Sequence, residues 1–164
     1  RLWEAMDTAV PEYEDYTQEK VNVPFYGVYF GQAALPMEPE DLYVLNSDVL
    51  NSCTVTDPIT GKISAVYNME KTSSPDLYDV FLSGARSLLT IENPSASTDR
   101  ELIVFRDSFG SSMVPLLVQD YAKVTLVDIR YIQIDVLDRF LELGGQDVLF
   151  LYSTLVLNNS ETIK

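Results

Sequence analysis

Four short apolar runs in the second half of the chain constrain its fold more than any other feature. They are Ser87-Leu-Leu-Thr-Ile91, Glu101-Leu-Ile-Val-Phe105, Val124-Thr-Leu-Val-Asp128 and Asp147-Val-Leu-Phe-Leu-Tyr152. Each is too short for an amphipathic helix and rich in aliphatic and β-branched residues, so each reads as a buried strand. Helical patterns separate the last three. One runs from Ser111 to Ala122, and another from Ile134 to Leu143 is closed by Gly144-Gly145. Strands alternating with helices of about ten residues predict right-handed βαβ units and a mostly parallel sheet. The expected class is therefore α/β, with part of a doubly wound, flavodoxin-like sheet.

The first half reads differently. Residues 1–75 predict a helix end followed by a β-rich insertion or lobe, and residues 76–164 the α/β half of one continuous domain. Leu2, Trp3 and Met6 share one side of a helix that Pro11 discourages from continuing. Residues 12–19 are acidic and aromatic and suit an exposed strand or loop. Phe25-Tyr-Gly-Val-Tyr-Phe-Gly-Gln32 suits a loop or short strand against something bulky. Asp41–Leu45 reads as a strand. Ser52–Thr56 and Lys62–Tyr67 flank Asp57-Pro-Ile-Thr-Gly61, the pattern of a hairpin. Asp76–Leu82 predicts a helix, with Pro75 at its first position and Gly84 ending it.

Charge and residue counts narrow the function. The chain has 164 residues, 46% of them hydrophobic, enough for one domain with a sizeable core. Its net charge of −14 disfavours nucleic acid and anionic membranes as partners. No apolar run approaches the roughly 20 residues that span a bilayer. Cys53 is the only cysteine and there is no histidine. An intrachain disulfide, a cysteine-based zinc site and a Cys-His pair are thereby excluded. No EF-hand spacing or carboxylate-histidine cluster is legible, and neither a metal nor a cofactor is expected.

The candidate site is Phe105-Arg-Asp-Ser-Phe-Gly110. A buried strand stops, Ser108 sits in the turn, and a helix begins. Active groups in open α/β sheets gather at the carboxyl ends of strands. Such a turn would present the Ser108 hydroxyl there, and nearby backbone N–H groups would meet a developing oxyanion. Asp107, Phe109 and Gly110 are the flanking candidates, and Gly84 is a further one. At the end of the next strand, Arg130 and Tyr131 fall on the same edge beside Asp128. Arg130 either binds an anionic group near Ser108 or pairs with a local acid. Ser, Asp and Gly at a helix start are also ordinary capping residues, so a structural role stays open.

Several blocks carry a resemblance: Glu101–Gly110 with its Arg-Asp-Ser-Phe-Gly, then Met113-Val-Pro-Leu-Leu117, Val124–Tyr131 and Asp147–Tyr152. In this order they resemble the C-terminal part of DHHW family proteins, which are SGNH hydrolase-like and distantly similar to the SGNH-like domains of alginate O-acetyltransferases. The resemblance covers roughly residues 76–157. It implies a serine nucleophile at Ser108, with Asp-His partners in an upstream Asp-His-His-Trp motif. It also implies a bacterial, mainly Gram-positive, secreted or membrane-anchored setting, and an acyl-ester or carbohydrate substrate. Arg106 stands where the superfamily usually has glycine.

A serine hydroxyl needs a base poised near neutrality, and this chain has no histidine to supply one. The chain opens on Arg1 and reads as a piece whose missing part lies upstream. The expectation is an esterase or O-acyltransferase fragment, inactive alone. The alternatives are a noncatalytic surface binding or scaffold domain of the same fold, or an anion-binding α/β domain. An exposed sheet edge would favour a homodimer.

Overall fold

The computed structural model describes residues 2–27, 30 and 36–159. Its eight strands are β1 (Thr17–Phe25), β2 (Glu40–Asn46), β3 (Thr54–Asp57), β4 (Lys62–Ser64), β5 (Leu88–Glu92), β6 (Glu101–Arg106), β7 (Lys123–Val127) and β8 (Asp147–Leu151). Strands β1 and β2 form a separate antiparallel pair. The other six make one mixed sheet in the order β4-β3-β5-β7-β6-β8.

The mostly parallel sheet expected from the sequence is corrected here. Only β7, β6 and β8 run parallel; β5, β3 and β4 join by antiparallel pairings. The reason lies in the connection between β5 and β6, residues 93–100. A parallel crossover needs roughly a dozen residues or more, so this link reverses the chain. The longer links after β6 and β7 permit parallel returns. The predicted hairpin forms, but it extends this main sheet through β3 and β5 rather than a separate lobe.

The strand alternation gives the sheet two apolar faces. Leu102 and Val104 of β6 pack with Val124, Leu126, Leu89 and Ile91 in the larger core. Ile103 points the other way, toward Leu88, Val127, Ile132 and Leu137. The larger core is covered by the segment after β6, through Val114, Leu117, Val118 and Tyr121, all buried. Cys53 is buried in the same core and donates to the Val49 carbonyl. Burial raises its pKa to about 11, so it packs rather than reacts.

Helices are shorter than the sequence periodicity suggests. Those among the described residues are α1 (Leu2–Ala5), α2 (Asp48–Ser52), α3 (Gly110–Met113), α4 (Ile134–Leu137) and α5 (Thr154–Asn158). The expected helix from Ser111 to Ala122 becomes α3 followed by a 3-10 run over Val114–Asp120. Pro115 explains this: it has no N–H for the Ser111 carbonyl, and its ring crowds that carbonyl. The expected helix at Asp76–Leu82 is a 3-10 turn, Leu77–Val80, capped by Asp76. Ser52 closes α2 instead of opening β3, and β1 begins inside the acidic segment read as a strand or loop. The aromatic stretch at 25–32 lies partly outside the described residues.

Arg100 ties α1 to the main sheet. Its guanidinium donates to the carbonyls of Met6 and Asp7 and pairs with Asp147 of β8 at 2.7 Å. Trp3 and Met6 thereby pack against the larger core. Strand β8 is the free edge on that side, and its Val148 and Phe150 are exposed.

Candidate active site

Register defines one edge of the sheet. Leu88, Val127, Phe105 and Phe150 are level across β5, β7, β6 and β8. One step further lie Ser87, Asp128, Arg106 and Leu151. The edge is laced there by backbone bonds, Asp128 N–H to Ser87 O and Asp107 N–H to Leu151 O. Ser108 sits directly beyond, outside the carboxyl ends of the three parallel strands, the position expected for a site.

Asp107 holds this turn. Its carboxylate is 1% exposed and accepts the Phe109 N–H at 3.0 Å and the Ser153 N–H at 2.7 Å. One oxygen closes the turn, and the other anchors the chain leaving β8 for α5. Further turn bonds run from Gly110 N–H to Asp107 O and from Ser111 N–H to Ser108 O. Tyr78, unremarked in the sequence, reaches across to donate to Phe109 O at 3.0 Å, and its oxygen accepts the Ser112 N–H. No local pattern could have announced it, because it comes from a separate loop.

Ser108 itself is half-buried, and neither its hydroxyl nor its N–H has a hydrogen bond among the described residues. The neighbouring amides of Phe109, Gly110, Ser111 and Ser112 are all engaged. Gly84 N–H is likewise spent on Phe81 O. Of the amides in the turn, Ser108 N–H is thus the donor left for an incoming oxygen.

Arg106 lies under the turn, fully buried, with its Cβ 3.0 Å from where a Gly110 side chain would start. A side chain at Gly110 would therefore press on Arg106. One guanidinium nitrogen donates to Ser111 Oγ at 3.0 Å and to Asp107 O at 3.3 Å, clamping both sides of the turn. Among the described residues, Nε and the other terminal nitrogen have no partner, and neither does the buried Tyr152 hydroxyl. Burial pulls the Arg106 pKa down, against the opposing pull of Asp128. Burial also pushes the Tyr152 pKa up to about 12, with help from Asp128.

Arg130 is committed to Asp128. Its Nε and a terminal nitrogen meet the two carboxylate oxygens at 2.8 and 2.6 Å, and Asp128 is fully buried. The guanidinium also lies 5.2 Å over the Tyr131 ring. The hydrogen bond that Arg130 donates to Asp128 raises the Arg130 pKa. Tyr131 and Phe109 stay exposed.

Gly84 closes a run of left-handed residues, Leu82 (φ 54°), Ser83 (φ 61°) and Gly84 (φ 88°). A Cβ on Gly84 would collide with the Asp79 carboxylate, which Ser74 already holds at 2.7 Å. Gly84→Ala is expected to cost about 2 kcal/mol, or roughly 4–8 °C in Tm, readable by thermal denaturation. An unchanged Tm would contradict this account of the loop.

Fold and site together define an α/β protein that presents a serine at the carboxyl edge of a mixed sheet. The same fold occurs in a DHHW family protein from Eubacterium siraeum DSM 15702, with a TM-score of 0.77 and 21% identity, over 98% of this chain and 56% of that one. It also occurs in Bacillus cereus PatB1 carrying a sulfonyl adduct, with a TM-score of 0.62 and 21% identity, over 94% and 50% of the two chains. The chain thus spans about half the length of these structures. No family model and no curated protein matches the sequence.

Proposed function

We propose that this chain is the serine-bearing part of an SGNH-like esterase or O-acyltransferase that acts on a cell-wall or exported polysaccharide, with the sheet forming part of a doubly wound domain. The carrying observation is the division of labour at the turn. Asp107 does the capping, so among the described residues the Ser108 hydroxyl is left unpaired, at the edge where reactive groups collect. A serine kept only as a cap would hold that hydrogen bond itself. The base comes, in this reading, from a histidine outside these 164 residues.

The sulfonyl adduct on PatB1 suggests a direct assay. A sulfonyl fluoride is attacked at sulfur by an activated hydroxyl; fluoride leaves, and the base takes the hydroxyl proton. A longer form of the protein that includes a histidine-bearing segment is expected to take up one phenylmethylsulfonyl group, mapped to Ser108 by peptide mass spectrometry. The 164-residue chain alone is expected to react far more slowly. Modification at another residue, or none in the longer form, would sink the proposal.

A further inference from the structure

The peptide linking Asp107 to Ser108 is held at one end and open at the other. Its N–H, that of Ser108, has no acceptor among the described residues. Its carbonyl, Asp107 O, accepts twice, from Gly110 N–H at 3.1 Å and from the Arg106 guanidinium at 3.3 Å. The peptide is trans, so its N–H and C=O point in opposite directions. Arg106 is fully buried, so the carbonyl faces the interior and the Ser108 N–H faces away from it. A flip of this one peptide would break both bonds to the carbonyl and aim the N–H at a cation.

The guanidinium is itself fixed in place. The same terminal nitrogen donates to the Oγ of Ser111, which is also buried, at 3.0 Å. The two carboxylates that act on Arg106 through charge are bonded elsewhere, Asp128 to Arg130 and Asp107 to the Phe109 and Ser153 N–H groups. Among the described residues, the Asp107 carbonyl is the one backbone group that the guanidinium reaches, and two of its nitrogens have no partner. Stability alone gives little reason for such a group. An apolar side chain of similar volume fills a buried site without the cost of desolvating a charge. Buried polar groups left partly unsatisfied tend to mark functional sites.

A charged donor on a carbonyl draws electron density through the amide and makes the N–H of the same group a stronger donor. We propose that Arg106 is a positioning residue that holds and polarises the 107–108 peptide, keeping the Ser108 N–H aimed at the oxyanion formed when the serine is acylated. The oxyanion part rests on the hydrolase reading above, whereas the tether on the peptide does not. Arg106 touches no reacting atom and acts only through that peptide.

The tether is tested in the 164-residue chain by nitrogen-15 relaxation dispersion at the Ser108 amide, in the parent and in Arg106→Met. The parent should give a flat profile, and the variant should show microsecond-to-millisecond exchange as the peptide samples both orientations. The Tm of the variant should stay within about 5 °C of the parent, because an apolar side chain replaces a partly unsatisfied cation. In a longer form that contains the base, Arg106→Met should lower kcat for an acetyl ester about a hundredfold, with KM changed less than about threefold, since the oxyanion exists only beyond the ground state. Arg106→Lys keeps a charged donor and should recover at least about tenfold of that loss. Should Arg106→Met fail to fold, Ser111→Ala takes its place. It removes the shorter bond of the guanidinium and should broaden the Ser108 amide and lower kcat about fivefold. Flat dispersion in the variants, an unchanged kcat, or a kcat that falls only in step with Tm and is not recovered by lysine would overturn the role. Exchange at Ser108 in Arg106→Met, with no Ser108-dependent turnover in the longer parent, would keep the tether and reject the hydrolase.

Discussion

Ser108→Ala is expected to lower acyl-ester turnover by about a thousandfold or more in a form of the protein that contains the base, with little change in stability. The proposed reaction has four moves. Ser108 Oγ attacks the ester carbonyl as the base takes its proton, and the carbonyl oxygen becomes an oxyanion. The alcohol departs, reprotonated by that base, and leaves an acyl-serine. Water or a sugar hydroxyl then repeats the attack and frees the serine. Only the hydroxyl can form that acyl bond, so its loss removes the covalent route. The Ser108 N–H, the one amide of the turn without an acceptor, survives the substitution and can still polarise the carbonyl. A small residual rate is therefore expected rather than none. The side chain makes no hydrogen bond among the described residues, so its removal should shift stability by about 0.5 kcal/mol at most. Hydrolysis of an acetyl ester, measured beside a melting curve, separates the two effects. Equal turnover by both proteins would leave Ser108 a bystander.

Asp107→Ala is expected to do the reverse and damage the fold first. The substitution removes a buried carboxylate and strands the Phe109 and Ser153 N–H groups that it accepts. Charge-assisted hydrogen bonds and stranded donors set the cost at about 3 kcal/mol, or roughly 6–12 °C in Tm for a domain of this size. Asp107→Asn keeps one acceptor oxygen and should fall between the two. A melting curve unchanged by Asp107→Ala would mean that the turn is held by other contacts, the Arg106 clamp first among them. Activity should fall in both variants, because a turn that drifts by an ångström misplaces the nucleophile.

The strands around this site were legible because each is apolar and bounded by turn residues. β5 to β8 fall within a residue or so of the runs read from the sequence. The position of Ser108 between a buried strand and a helix start was equally plain. The direction of β5 was readable in principle from its short link to β6, but alternation of strand and helix patterns outweighs it when the segment is taken as a whole. Helix lengths were not legible because an apolar period of three to four residues fits 3-10 turns as well, and Pro115 cuts the longer pattern short. The contacts made by Tyr78, Ser153 and Arg106 were not legible at all. Each depends on which distant segment packs over the turn, and nothing in the residues near Ser108 encodes that.

The bond from Ser153 N–H to Asp107 joins residues 46 positions apart. Strand β6 can pair with β7 early, but its other flank stays open until β8 has been made. A nascent chain emerging from the ribosome therefore carries Ser108 long before its turn can be locked. The Ser108 turn acquires its final geometry only when the last strand docks, so it is completed at the end of synthesis rather than when its own residues emerge.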